Sequence, residues 1–347
     1  MKTSQHSKQI LLTDIGLDDY QDFVETHPDS TIFHHKRWID LLCDQHGFTC
    51  RIPAVKLDGK IIAAVPFLET QSLFGTKKLV SLPFTDALAV LADADSVPKL
   101  KRRLESESYR HYSAIVARTQ SPTEIGASSD VAWLRHTVDT SRSIDHIYSD
   151  FDRRLKTNIR RAERSHLTYS CNTSAEAMQK FYELQVKTRR KIGVPVQPRR
   201  FFSRLQEQII EHDFGFIGLV NQGDKTIAAG VFLFYNGTMI YKYSAADPHQ
   251  LSCRPNEFLA FNAIRSAIDL NCHLFDFGIS KPSQAGLRRY KTKFGAVESN
   301  VYREVIAGEQ QTLPEDSKAM ALASMVIKNS PEFVCKAIGE SLYKYSQ

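Results

Sequence analysis

The chain has 347 residues, 42% of them hydrophobic and 24% charged, ordinary globular values that exclude fibrous and fully disordered classes. Its six cysteines (Cys43, Cys50, Cys171, Cys253, Cys272 and Cys335) form no CxxC pair, which removes the common zinc and dithiol patterns and fits a reducing compartment. The net charge of +6 is unevenly laid out: −3 over residues 1–150, +11 over 151–293 and −2 over 294–347.

The N-terminus, MKTSQHSKQILLTDIG, has no apolar core of a signal peptide, and the longest apolar stretch, Ile227 to Tyr235, is far shorter than a membrane helix. The expected location is cytoplasmic. Early in the chain, Arg51 to Leu57 reads as a strand, followed by an Asp58-Gly59 turn and a strand of small and β-branched residues through Phe67. The same pattern recurs at Gly223-Asp224, after a strand over Phe216 to Val220 and before another through Phe232. The offset, about half the chain, suggests two copies of one domain fold rather than a solenoid of short repeats.

The second half reads as an α/β series. Phe151, Leu155, Ile159 and Ala162 recur at helical spacing, with basic residues on the other face; Ser149 and Asp152 have the spacing of a capping box. Helices over Ala175 to Arg190 and Phe201 to His212 follow. Then come strands Phe214–Val220, Thr226–Tyr235 and Met239–Ala245, a helix over Asn256 to Leu270 and a strand over His273–Phe277. That order is the one expected of a GCN5-related acyltransferase (GNAT) fold, whose sheet splays open to admit an acyl donor. Two further helices, Ser317 to Lys328 and Glu332 to Tyr345, are expected to pack back on the first domain.

Three basic runs carry the positive charge: Arg153 to Arg164, Lys187 to Arg204 and Lys281 to Lys293, the last two without any acid. Three runs in one block point to an anion-binding surface, for a phosphate-linked substrate or an RNA backbone. The sequence has no GxSxG elbow, no HExxH and no GxxxxGK[ST] loop, so serine hydrolase, zincin and P-loop signatures are missing. No histidine spacing fits a metal. The turn Asp247 to Asn256, where a GNAT fold normally binds coenzyme A pyrophosphate, contains no glycine.

Four stretches carry a resemblance. Arg153 to Ala162 (RRLKTNIRRA), Pro255-Asn256-Glu257-Phe258-Leu259 through Phe275-Asp276-Phe277-Gly278, Gly286 to Gly295 (GLRRYKTKFG), and Ile32 to Trp38 (IFHHKRW) are similar, in order and spacing, to motifs of the Fem family. The resemblance implies an α/β fold with a mixed sheet, built as two tandem GNAT-like acyltransferase domains without a helical arm. The expected division is 1–147 plus 305–347 for the first domain and 148–304 for the second. It further implies transfer of an aminoacyl or acyl group to an amine of a cell-envelope precursor, related to peptidoglycan or polysaccharide. Aminoacyl-tRNA or acyl-CoA would be the donor, with no tightly bound cofactor and no metal. The acceptor would be anionic and phosphate-bearing, with peripheral contact to a membrane-linked substrate. The rival readings are an acyl-CoA-dependent N-acyltransferase of exopolysaccharide or envelope biosynthesis, and a non-catalytic RNA- or anion-binding protein on a degenerate GNAT fold.

The resemblance assigns Lys291, with Tyr290 beside it, to the reacting centre, where a cation stabilises the tetrahedral oxyanion of acyl transfer. Lys293 shares its face on a strand but not on a helix. Asp276, at a strand end, either orients the attacking amine or accepts its proton, or only caps the Gly278 turn. Arg153, Lys156, Arg160 and Arg164 form one helical stripe suited to phosphate; by resemblance, Lys156 or Arg160 holds the acceptor's diphosphate. Lys36 would reach a substrate phosphate from the first domain. Tyr243, together with Tyr241, faces the cleft in one register; Lys242 and Ser244 do so in the other. Trp38 and Trp133 read as packing residues.

Overall fold

The computed structural model describes residues 9–71, 75–122, 125–308 and 318–343. Along the first part run β1 (Ile10–Asp14), α1 (Leu17–Thr26), α2 (Lys36–His46), β2 (Thr49–Arg51), β3 (Pro53–Leu57), β4 (Lys60–Ala64), β5 (Phe67–Gln71), β6 (Lys77–Val80), β7 (Leu91–Ala92), α3 (Val97–Leu104), β8 (Ala114–Thr119) and β9 (Ser128–Asp139). Then come α4 (Ile144–Ser149), α5 (Arg153–Arg164), β10 (Leu167–Asn172), α6 (Ala175–Ile192), α7 (Arg199–Gln208), β11 (Gly215–Gln222), β12 (Lys225–Tyr235) and β13 (Thr238–Ala246). The chain closes with α8 (Pro255–Asp269), β14 (Leu274–Ser280), α9 (Ala285–Thr292), β15 (Val297–Gly308), α10 (Lys318–Asn329) and α11 (Glu332–Leu342). No helix among the described residues is long and apolar enough to cross a membrane.

Two compact units result: Met1–Trp133 with Asn300–Gln311, and Leu134–Ser299 with Thr312–Gln347. In the first, one sheet has the order β1-β3-β4-β7, and a second runs from β15 through β8, β6 and β5 to β2. The Asp58-Gly59 turn does close a hairpin, with β3 and β4 antiparallel and Leu57 opposite Lys60. Val55, Phe67, Leu79, Leu100, Ile115 and Ile306 form its core.

In the second unit the sheet order is β10-β11-β12-β13-β14-β9. The second hairpin is present too, with Gln222 opposite Lys225 across the Gly223-Asp224 turn. Helix α5 forms because Leu155, Ile159 and Ala162 align on one buried face. Its start lies later than a capping box at Ser149 would place it: Asp152 is the N-cap and accepts from the amides of Arg154 and Leu155. Helices α5 and α8 share one core with Phe232, Tyr241, Phe275 and Phe277 of the sheet. Phe181 of α6 and Phe201 and Phe202 of α7 make a separate aromatic cluster with Tyr243.

The closing helices correct one expectation. They dock on α6 of the second unit, not on the first. Glu340 accepts a hydrogen bond from the Arg199 amide at 3.0 Å, and Cys335 reaches the Val194 carbonyl at 3.6 Å. Gly339 permits this approach, since a Cβ there would collide with the Val196 carbonyl. Helical periodicity fixed the existence of these helices; their destination depends on this close backbone contact, which periodicity does not encode. Only Asn300–Gln311, which includes most of β15, returns to the first unit.

Candidate active site

The second unit's sheet opens between two of its central strands. β13 and β14 are parallel and pair only over Thr238–Ile240 and Leu274–Asp276. Beyond that point β13 continues to Ala246 and β14 to Ser280 without pairing each other. Backbone polar groups on two diverging strands must find other partners, or a ligand.

On its other side β14 pairs with β9, and the register shifts between Asp276 and Ile279. Gly278 sits at this shift with φ of +70°, a left-handed conformation that glycine adopts without a Cβ penalty. Asp276 holds the irregularity. It accepts from the Gly278 amide at 2.8 Å and from Arg135 Nε at 2.7 Å, and both side chains of that ion pair are largely buried. Its carboxylate therefore caps the turn and neutralises Arg135.

Lys291 reaches the same place from α9. Its side chain is buried, and Nζ donates to the carbonyls of Gly278 and Ile279 at 2.9 Å each. A buried ammonium needs such acceptors to offset desolvation. Because α9 is a helix, Lys291 points inward and Lys293 does not share its face. Tyr290 ties α9 to the start of α8 by donating to the Asn256 carbonyl at 3.0 Å, and burial pushes its phenol well above the ordinary value.

Beside Lys291 lies a network that sequence reasoning missed. His136, on β9, is fully buried and its Nε2 lies 3.1 Å from Glu298. Arg288 grips the same carboxylate with Nε at 2.9 Å and Nη2 at 2.8 Å. Burial, then the Lys291 charge, lowers the His136 pKa. The neutral ring thus donates from Nε2 to Glu298. Arg288, chiefly through its hydrogen bonds, holds the Glu298 carboxyl below the usual range. The available signal was a histidine at an inward position of an alternating strand, which does not by itself identify a partner 162 residues away.

The other expected residues spread out. Lys156 donates to the Ser149 carbonyl at 2.7 Å and lies over the Tyr148 ring, so it leaves the stripe that Arg153, Arg160 and Arg164 still present to solvent. Tyr241 and Tyr243 do not share a face. Val231 pairs with Tyr243 but Phe232 with Tyr241, so Lys242 is the extra residue of a β-bulge. Tyr241 stacks on Phe232 at 4.5 Å, whereas Tyr243 joins the α6 and α7 aromatics. Lys36, in the first unit, pairs with Asp18 at 2.7 Å. In the glycine-free turn, Arg254 takes the left-handed conformation, φ +61°, immediately before Pro255 opens α8.

Residues 149–292 match the acetyltransferase (GNAT) domain family. That match lies within the second unit. No curated protein sequence matches the chain at a significant level. Among solved structures, the chain is similar to FemX, with a TM-score of 0.68 at 14% identity, over 84% of this chain and 96% of that one. The C-terminal domain of a putative lysylphosphatidylglycerol synthetase from Agrobacterium fabrum gives 0.55 at 12% identity, over 89% and 94%. A tandem GNAT protein from the clavulanic acid biosynthesis pathway gives 0.51 at 9%, over 87% and 100%. The fold is a tandem GNAT fold of the Fem type, as the sequence motifs implied.

Proposed function

We propose that the GNAT-type domain transfers an aminoacyl or acyl group to an amine of a cell-envelope precursor. The observation that carries this reading is the opening between β13 and β14, where unpaired strand edges can receive the acyl donor's backbone-like amide groups. The acceptor amine attacks the donor carbonyl, giving a tetrahedral oxyanion. Collapse expels the donor's thiolate or ribose oxygen, and the amine's extra proton passes to solvent or to the leaving group. Lys291 acts from the Gly278–Ile279 carbonyls: it fixes the β14 edge of the opening and puts a fixed positive charge where the oxyanion develops. Tyr290 holds α9 against α8. Asp276 keeps the Gly278 turn in shape as a positioning residue.

For the donor, two chemistries compete. Acyl-CoA is favoured by the left-handed Arg254, which supplies at the head of α8 the backbone conformation that a glycine would otherwise give. Aminoacyl-tRNA is favoured by the likeness to FemX and by the basic surface of this unit. Thermal unfolding with coenzyme A, and separately with charged tRNA, discriminates between them. The donor raises the melting temperature, and product forms only when an amine acceptor is added. Neither a shift nor turnover with either donor overturns the reading in favour of a binding protein.

A further inference from the structure

The end of α9 and the start of α5 enclose an open cavity of about 380 Å³, lined by Asp152, Arg154, Arg289, Thr292 and Lys293. Its floor is built. Phe294, fully buried, meets Phe151 edge-on at 5.4 Å, and burying one such ring contributes on the order of 2–3 kcal/mol. The Asp152 amide donates to the Lys293 carbonyl at 2.9 Å, which ties the last turn of α9 to the cap of α5.

Three cations thus converge on one recess with a single carboxylate. That carboxylate is already engaged, since Asp152 Oδ1 accepts from the Arg154 amide at 2.8 Å and the Leu155 amide at 3.3 Å. Among the described residues, the side chains of Arg154, Arg289 and Lys293 make no hydrogen bond or ion pair. Like charges gathered at one recess repel one another, and an anion supplies the counter-charge. Two guanidinium forks and an ammonium match the several acceptor oxygens of phosphate better than a lone carboxylate, which one fork would satisfy.

We propose that this recess is a phosphate-binding site, with Arg154 and Arg289 as the bidentate donors and Lys293 as the point charge. It is distinct from the Arg153, Arg160 and Arg164 stripe of the sequence reading: the receiving residues come from two helices rather than one. The proposal extends the transferase reading by locating a substrate phosphate, and it is tested by binding without turnover, so either can fail alone. The phosphate can belong to a free or terminal phosphate group, or to a nucleic-acid backbone.

The test measures equilibrium binding at low salt of inorganic phosphate and, separately, of a single-stranded RNA oligonucleotide. Compared are the full chain, the R154E/R289E double variant, and R200E as a charge control on α7. The expected result is at least about a tenfold weaker affinity in the double variant and less than about a twofold change in R200E. Loss confined to phosphate assigns a terminal phosphate; loss confined to RNA assigns a backbone phosphate. As a check independent of folding, bound probe should protect Arg154 and Arg289 of the unaltered protein from phenylglyoxal. The proposal is overturned if neither probe binds the unaltered protein, if the double variant binds as well as it does, or if R200E loses as much.

Discussion

In the first unit, cations sit beside acids. Lys36 pairs with Asp18, Arg51 with Glu69, Lys56 with Asp19, and Arg103 with Asp14, within 3.5 Å in each case. In the second unit, α5, α9 and the residue that follows α9 carry Arg153, Arg154, Arg160, Arg161, Arg164, Arg289 and Lys293, none with a side-chain partner among the described residues. The second unit holds ion pairs of its own, Arg135 with Asp276 and Arg288 with Glu298 among them, yet it also gathers unpartnered cations on α5 and at the end of α9. Exposed pairs contribute little to stability, so the contrast teaches more about ligands than about folding. A surface whose charges are matched has a weak outward field, whereas an unmatched one attracts an anion from a distance.

Four substitutions sharpen or break this contrast. The largest effect is expected for Lys291→Ala, which removes the one deeply buried cation of α9. Leaving two carbonyls without their donor costs about 1–3 kcal/mol of stability, and transfer should slow by about a hundredfold or more. Unfolding and initial rates measured on the same preparation separate the two. An unchanged rate would remove Lys291 from the reaction.

Next is an acid-labile point in the first unit. His34 is fully buried, its Nδ1 accepts from the Thr31 amide and its Nε2 donates to the Ala89 carbonyl. Burial lowers its pKa to about 4. The unfolded chain binds the proton first, so stability present above pH ~6.5 is lost as pH falls toward 4, by up to about 3 kcal/mol. Urea midpoints across that window should fall, and fall less in His34→Gln. An equal slope in both proteins would assign the acid sensitivity elsewhere.

Asp152→Ala comes third. Loss of the α5 cap costs about 1 kcal/mol, and removing the recess's only carboxylate should tighten phosphate rather than weaken it. Weaker phosphate binding would show that the cap shapes the recess more than its charge opposes the ligand. The smallest effect belongs to Lys36→Ala, whose ion pair is exposed: the melting temperature should not move. If Lys36 nevertheless contacts a substrate phosphate, KM rises at unchanged kcat; an unchanged KM withdraws that role.

Much of the fold was legible because its signals are local. Two glycine-aspartate turns marked the hairpins, and the spacing of Leu155, Ile159 and Ala162 marked α5 with its basic face. The candidate site was legible only as an ordered set of motifs. What Lys291 touches was not, because its partners are carbonyls set by the Gly278 irregularity, and any residue type supplies a carbonyl. His136 and Glu298 meet through strand pairing over a long sequence separation, so neither advertises the other. The converging recess escaped for a related reason: Arg154 and Arg289 belong to different runs, which the Asp152–Lys293 backbone bond and the Phe151–Phe294 contact bring together.

The bulge at Lys242 makes β13 a parity counter. One surplus residue decides that Tyr241 belongs to the layer of α8 while Tyr243 belongs to the layer of α6. Deleting Lys242 would keep both pairs, whereas drawing it into regular pairing would turn Tyr243 to the face of the Phe232 ring stack and take it from the α6–α7 cluster. For any effort to redesign the opening between β13 and β14, the pairing of this strand is thus a stricter constraint than residue identity.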